Sequence, residues 1–277
     1  MALTPDQLQS FARDGFVAVR GAFPHAAALS MQDEWWAELA DDHGVRREDP
    51  ATWRPVRGDL KRPKTAPSQA AFGSAAAGEV IDQLLGKGGW DWPRDWGRAI
   101  AGFPSGASLD AWDVPADVWH WDGATAWNLD HLTSLFIVAF VGAVEAGGGG
   151  TTALAGSQEL VRRQYRALPA AQRAYGETWR RDRLWRSDPW LAALTGCAES
   201  PTDRVQAFMR DGGKVDGVPL RVVELTGEPG DMVFCDPLLL HAVARNCREQ
   251  PRLMRIKQQF LSREAVALAK ASQVARA

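Results

Sequence analysis

The spacing of apolar residues divides the chain into stretches of different character. Thr4-Pro5-Asp6-Gln7 combines a hydroxyl cap, a proline at the first helical position and an acid in the first turn, which predicts a helix ended by Gly15. Phe16 to Val19 reads as a short strand, and Trp35, Trp36 and Leu39 fall on one stripe of a second helix from about His25 to Asp41. His43 to Ala75 is rich in Arg, Pro, Lys and Ser and has no periodicity, so it predicts a long surface loop, followed by a short helix over Glu79 to Leu85. Beyond it come short strand-like runs: Arg98 to Phe103, Val118 to Trp121, Ser134 to Val144, Thr151 to Leu154, Leu220 to Leu225, Met232 to Phe234 and Arg255 to Leu261. Gly, Pro and Asp clusters separate them, the mark of an antiparallel sandwich or barrel with flanking helices, not of a parallel α/β sheet. Between Gln158 and Asp211 the spacing turns helical. The expectation is one enlarged domain over residues 1–277, with a helical insertion at about 159–217 serving as a lid or outer buttress.

Composition changes this picture mainly by exclusion. The chain of 277 residues is 45% hydrophobic and 24% charged with a formal net charge of -2, so no global field favours a nucleic acid or an anionic membrane as partner. Its longest apolar runs fall well short of the ~20 residues a membrane helix needs. Three cysteines without paired spacing, and an N-terminus lacking a basic segment followed by an apolar run, point to a reduced, cytoplasmic protein.

The candidate chemistry lies in Trp119-His120-Trp121-Asp122. Alternate residues of a strand share a face, so His120 and Asp122 project together while Trp121 faces away. A third ligand has to come from elsewhere, and His241 qualifies: it follows Gly230-Asp231-Met232-Val233-Phe234, which opens a strand, and the apolar run Leu238-Leu239-Leu240. Two histidines and one carboxylate on one face of a metal leave the other positions open, which is the arrangement of non-haem iron(II) oxygenases. A chelating keto acid then needs a cation for its distal carboxylate, and an arginine fork fits one bidentately. Arg252, eleven residues beyond His241, is the candidate; Arg255 is the fallback, on the opposite face of a regular strand.

These residues carry a family likeness. His120-Trp121-Asp122, the stretch Gly147-Gly148-Gly149-Gly150-Thr151-Thr152 leading to Ala155-Gly156-Ser157, then Gly230-Asp231, His241, Asn246 and Arg252, together with Leu3-Thr4 through Asp14-Gly15-Phe16-Val17, resemble the phytanoyl-CoA dioxygenase family. The resemblance implies a mainly β (α+β) fold with a double-stranded β-helix core, the jelly roll or cupin-like barrel. It implies iron(II) bound by His120, Asp122 and His241, with 2-oxoglutarate anchored by Arg252. It further implies a dioxygenase that uses O2 to hydroxylate a small-molecule substrate, releasing succinate and CO2. Val243 and Arg248 depart from the family's small hydroxyl residues after the distal histidine. Asp122 stands where related halogenases carry a small residue, which argues against halogenation and leaves hydroxylation as the default outcome, with desaturation, epoxidation or ring closure still open.

Several residues admit plainer readings. His131 competes as a ligand but fits a loop or cap histidine better, and His25 and His43 fit solvent-facing positions. The four glycines from Gly147 read as a turn, because no Lys-Ser or Lys-Thr follows to make a phosphate cradle. Arg180, Arg181, Arg183 and Arg186 either clamp an anionic substrate or form a solvated helix face. Thirteen tryptophans, with Trp112, Trp119, Trp121 and Trp127 around the metal segment, suggest core packing, or shielding of the site. The rival reading of the whole is a non-catalytic jelly-roll protein that binds a ligand in a Trp-rich cleft. Cys235 reads as a small buried hydrophobe.

Overall fold

Thr4 caps the first helix reciprocally with Gln7: the Gln7 N–H donates to the Thr4 hydroxyl while the Thr4 N–H donates to the Gln7 side chain. Gly15 closes that helix in the left-handed conformation at φ 84°, which a side chain would resist. This computed structural model describes residues 2–56, 58–62, 66–122, 129, 131–169, 172 and 177–274. Helix α1 (Pro5–Asp14) leads into strand β1 (Phe16–Val19), helix α2 (His25–His43) and helix α3 (Ala75–Leu85). Strands β2 (Arg98–Gly102), β3 (Ser134–Phe140) and β4 (Thr151–Ala155) precede helices α4 (Ser157–Ala167), α5 (Glu177–Trp185) and α6 (Pro189–Leu194) and a π-helical turn, Val205–Asp211. Strands β5 (Gly213–Val215), β6 (Val218–Glu224), β7 (Met232–Cys235), β8 (His241–Val243) and β9 (Arg252–Phe260) follow, then helix α7 (Arg263–Val274).

All strand pairs are antiparallel, in a five-stranded sheet of order β1-β7-β3-β9-β2 and a four-stranded sheet of order β5-β6-β4-β8. This is the double-stranded β-helix with flanking helices. Strand β3 is buried at every position, because its two faces serve different cores. Leu135, Ile137 and Ala139 join a cluster with Phe11, Trp35, Leu39 and Ile81 of the N-terminal helices, whereas Phe136, Val138 and Phe140 face the interior with Ala153, Leu225 and Leu239. A third core lies under α4 to α6, where Leu160, Leu184, Leu191 and Phe208 pack with Leu220, Leu240 and Trp121. Each fully buried Leu, Ile or Phe contributes ~2 kcal/mol of transfer free energy, so each core is worth having only as a set.

The structure corrects several boundaries. The 43–75 stretch is not wholly irregular: α2 runs on to His43, and 3-10 turns form at Pro50–Thr52 and Pro67–Gly73, each opened by a proline. Strands β5 and β8 were not expected, and β9 begins at Arg252 rather than Arg255. Part of the stretch between Gln158 and Asp211 where helix is expected lies outside the described residues. Among the described residues no helix is long and apolar enough to cross a membrane.

Candidate metal centre

Val118 to Trp121 is not a strand. Val118 holds φ at 55°, a strained value for a β-branched residue, which breaks the extended path, and only His120 makes a ladder contact. That single contact is with His241: His120 N–H donates to His241 O at 2.9 Å and His241 N–H donates to His120 O at 2.8 Å. His241 opens β8, which pairs with β4 through Ala153 opposite His241. Leu240 just before it is fixed on both sides, its N–H donating to the Ser157 hydroxyl at 2.8 Å and its carbonyl accepting from Leu154 N–H. The Ala155-Gly156-Ser157 motif thus sets the approach to the distal histidine.

His120, Asp122 and His241 converge, with one ligand atom from each lying within 4.8 Å of the others. His120 Nε2 is 3.7 Å and His241 Nε2 3.6 Å from the Asp122 carboxylate oxygens, which compares with ~3 Å between adjacent ligands that each stand ~2.1 Å from a metal. Both Nδ1 atoms are already committed: that of His120 lies 2.8 Å from Val118 O and that of His241 3.0 Å from Leu239 O. A carbonyl there selects the tautomer protonated on Nδ1, leaving both Nε2 lone pairs directed at one point. Burial, reinforced by His120, lowers the His241 imidazole to about 4, so it is neutral at pH 7 and able to ligate. The Phe136 ring stacks on His241 at 4.7 Å and 16°, fixing the imidazole plane. His131 is exposed and stands outside this group, as do His25 and His43. Burial pushes the Cys235 thiol well above its ordinary value, which suits a small hydrophobe and not a ligand.

Arg252 is buried on the interior side of β9, in alternation with Met254 and Ile256. Its Nη1 donates to Gly149 O, its Nε has no partner, and no carboxylate forms an ion pair with it among the described residues. Burial lowers this guanidinium to about 10, and the Glu224 carboxylate, which acts in the other direction without a hydrogen bond to it, offsets only part of that. Gly102 faces it across the β2–β9 ladder, where a Cβ would stand 3.1 Å from Nη2 and 3.2 Å from Nε. An unpaired buried fork with a glycine-cleared flank suits an incoming carboxylate. The two histidines and the acid are a donor set that could hold a metal ion, and the fork of this arginine fits a carboxylate.

The glycine stretch is a turn with an occupant. Gly147 N–H and Gly150 N–H donate to the Glu224 carboxylate at 2.7 and 3.0 Å, so its amides cradle a side chain of the same molecule. Burial raises Glu224 above the usual carboxylate range even so. Asp231, of the Gly-Asp motif, is also structural: burial alone would raise it, but Glu228 N–H, Arg20 and Gly21 N–H hold it below its ordinary value. Trp119 and Trp121 are buried in the core beneath α4 to α6, so packing is their role, while Trp127 lies outside the described residues. The arginine run splits: Arg186 pairs with Asp182 on the helix surface, whereas Arg181 turns inward, donating to Trp121 O at 2.9 Å.

No protein-family model and no curated protein matches the chain. Solved structures do. EctD from S. alaskensis in its apo form shares 16% identity over 93% of this chain and 77% of its own, with a TM-score of 0.52. HygX from Streptomyces hygroscopicus, crystallised with nickel and 2-oxoglutarate bound, shares 13% over 94% and 87%, with a TM-score of 0.51. SnoK, a non-heme alpha ketoglutarate dependent carbocyclase from nogalamycin biosynthesis, shares 12% over 94% and 84%, with a TM-score of 0.50. At these identities the likeness establishes a shared fold.

Proposed function

We propose that the chain is a non-haem iron(II), 2-oxoglutarate-dependent dioxygenase that hydroxylates an unactivated C–H bond of a small-molecule substrate and releases succinate and CO2. The observation that carries this reading is the convergence of two bare imidazole Nε2 atoms and one carboxylate on a single point. The buried, unpaired Arg252 supports the keto acid, and the same fold holds nickel and 2-oxoglutarate in HygX. The motif likeness to the phytanoyl-CoA dioxygenase family belongs to the same proposal.

Each residue has a defined task. His120, Asp122 and His241 would hold iron(II) and leave positions open for the cosubstrates. Arg252 binds the distal carboxylate of 2-oxoglutarate and so fixes its reach toward the metal. When bound, iron(II) with 2-oxoglutarate and O2 supplies the oxidising power for C–H cleavage. The stretch from α4 to α6 is read as a helical insertion that buttresses the metal segment through Trp121 and Arg181.

Anaerobic titration with iron(II) and 2-oxoglutarate tests the reading: the weak visible charge-transfer band of a chelated complex is expected, and its absence would overturn the proposal. His120→Ala and Asp122→Ala should each abolish 2-oxoglutarate-dependent succinate release. Full activity in Asp122→Ala would show that another carboxylate serves. Because SnoK, which shares the fold, is a carbocyclase, product analysis decides between hydroxylation and cyclisation.

A further inference from the structure

The metal segment is short of backbone support, and the missing support is supplied by side chains. His120 spends its N–H and C=O on His241, and no strand continues the ladder to the next two residues. The carbonyl oxygens of Trp121 and Asp122 are nonetheless both held. Arg181 Nη2 of α5 donates to Trp121 O at 2.9 Å, and Gln258 Nε2 of β9 donates to Asp122 O at 2.9 Å.

We propose that Arg181 and Gln258 are positioning residues of the metal centre: gripping two consecutive carbonyls from two separate elements, they set the backbone that aims the Asp122 carboxylate. The inference rests on the metal-centre reading above and deepens it: the buttress through Arg181 becomes one of two grips that aim the acid, and Gln258, which that reading leaves without a role, is the other.

Two further observations support it. The Trp121 ring is fully buried, and the Arg181 guanidinium lies 5.4 Å from the indole, so the same side chain holds the residue by its carbonyl and by its ring. Gln258 belongs to a single cross-strand row with Phe136 and Cys235, in register on β9, β3 and β7. Phe136 in that row stacks on His241. One rung of the sheet therefore supports the distal histidine through a ring and the acid through an amide. A side chain that grips the backbone beside a ligand acts by removing wrong orientations of it, and loss of an outer partner of a ligand commonly weakens metal binding 10- to 100-fold.

The test is Mn(II) affinity of the purified full chain in the presence of 2-oxoglutarate, read by electron paramagnetic resonance of free Mn(II). Gln258→Met keeps the length of the side chain without its donor, and Arg181→Met does the same for the guanidinium. Each should weaken Mn(II) binding about tenfold, while Arg181→Lys, whose ammonium can still donate to Trp121 O, should stay within about threefold of the parent. A purely structural role would lower the melting temperature and leave the Mn(II) affinity of the folded protein unchanged. If Gln258→Met does not fold, the Arg181→Met and Arg181→Lys pair decides alone. Folded variants that bind Mn(II) within about twofold of the parent overturn the inference and leave the metal centre standing. A parent that binds neither Mn(II) nor Fe(II) overturns the metal centre, and the inference with it.

Discussion

Two arginines three residues apart on β9 show how one strand can serve two purposes. Arg255 points to the N-terminal helices and is 1% exposed; Arg252 points to the barrel interior and is 9% exposed. Burial lowers both guanidinium groups to about 10. Their partners differ. Arg255 donates Nε to Trp96 O and Nη2 to Gly97 O, each at 3.0 Å, donates Nη1 to the Gln69 side-chain oxygen, and lies over the Phe72 ring at 5.4 Å. Arg252 has the Gly149 carbonyl alone and an orphaned Nε. The desolvation penalty is similar in kind for the two and each feels one carboxylate at a distance, Asp95 for Arg255 and Glu224 for Arg252, so the difference lies in hydrogen bonds, which among the described residues satisfy Arg255 far more fully. The fork of Arg252 thus keeps hydrogen-bonding capacity for an incoming group, and an anion with two oxygens is the shape it accepts.

The comparison breaks most visibly at Arg255. Replacing it with Met strands the acceptors of Gln69, Trp96 and Gly97 in the core, and the unfolding free energy should fall by roughly 4 kcal/mol. Chemical denaturation measures this, and 2-oxoglutarate binding to the protein that remains folded should change by less than about threefold. Arg252→Met should do the reverse. It removes a buried charge with few partners, so stability should change by less than about 1 kcal/mol, but 2-oxoglutarate affinity should fall about 100-fold, or ~2.7 kcal/mol. The direct readout is the ligand-induced rise in melting temperature in the presence of metal, which should be present in the parent and lost in Arg252→Met. Arg252→Lys keeps the charge without the fork and should lose about tenfold, between the two. Equal losses of stability in Arg252→Met and Arg255→Met would show that both arginines are structural.

The sequence carried the residues of the centre better than the path of the chain between them. His120, Asp122 and His241, which the structure brings together, were legible because a metal needs those side-chain types; Arg252 was expected because a carboxylate needs a fork, and the structure buries it on the interior side of β9. The expected strand through Val118 was wrong in form: alternation was read as a ladder, whereas Val118 turns to φ 55° and only His120 is bridged. Its consequence, Trp121 facing away into the core, survives because one bridge and two side-chain anchors do what a ladder would have done. Gln258 could have been found as the polar residue that continues the interior alternation of Met254 and Ile256. Arg181 could not, because its partner is a carbonyl far away in sequence. The glycine turn was identified as a turn, but Glu224 as its occupant depends on β6 lying beside it, which no local pattern encodes.

The smallest expected effect tests the flank of Arg252 without touching any charge. Gly102 sits in register opposite Arg252, and its backbone does not occupy the left-handed region, so alanine is conformationally acceptable there. The new methyl would stand 3.1 Å from Nη2 and 3.2 Å from Nε, closer than ordinary van der Waals contact, and the guanidinium would have to give way by a few tenths of an ångström. Because Nη1 is tied to Gly149 O, the shift must rotate the fork rather than translate it. A rotated fork still attracts a carboxylate but meets it with one hydrogen bond in place of two, so 2-oxoglutarate affinity in Gly102→Ala should fall only about three- to fivefold, ~1 kcal/mol. Stability should change by less than about 1 kcal/mol, because the lower backbone entropy of the unfolded alanine chain is set against the displacement of the guanidinium. Isothermal titration with 2-oxoglutarate and metal separates the two effects. An unchanged affinity would mean that the acid does not approach Arg252 from the side that Gly102 leaves open.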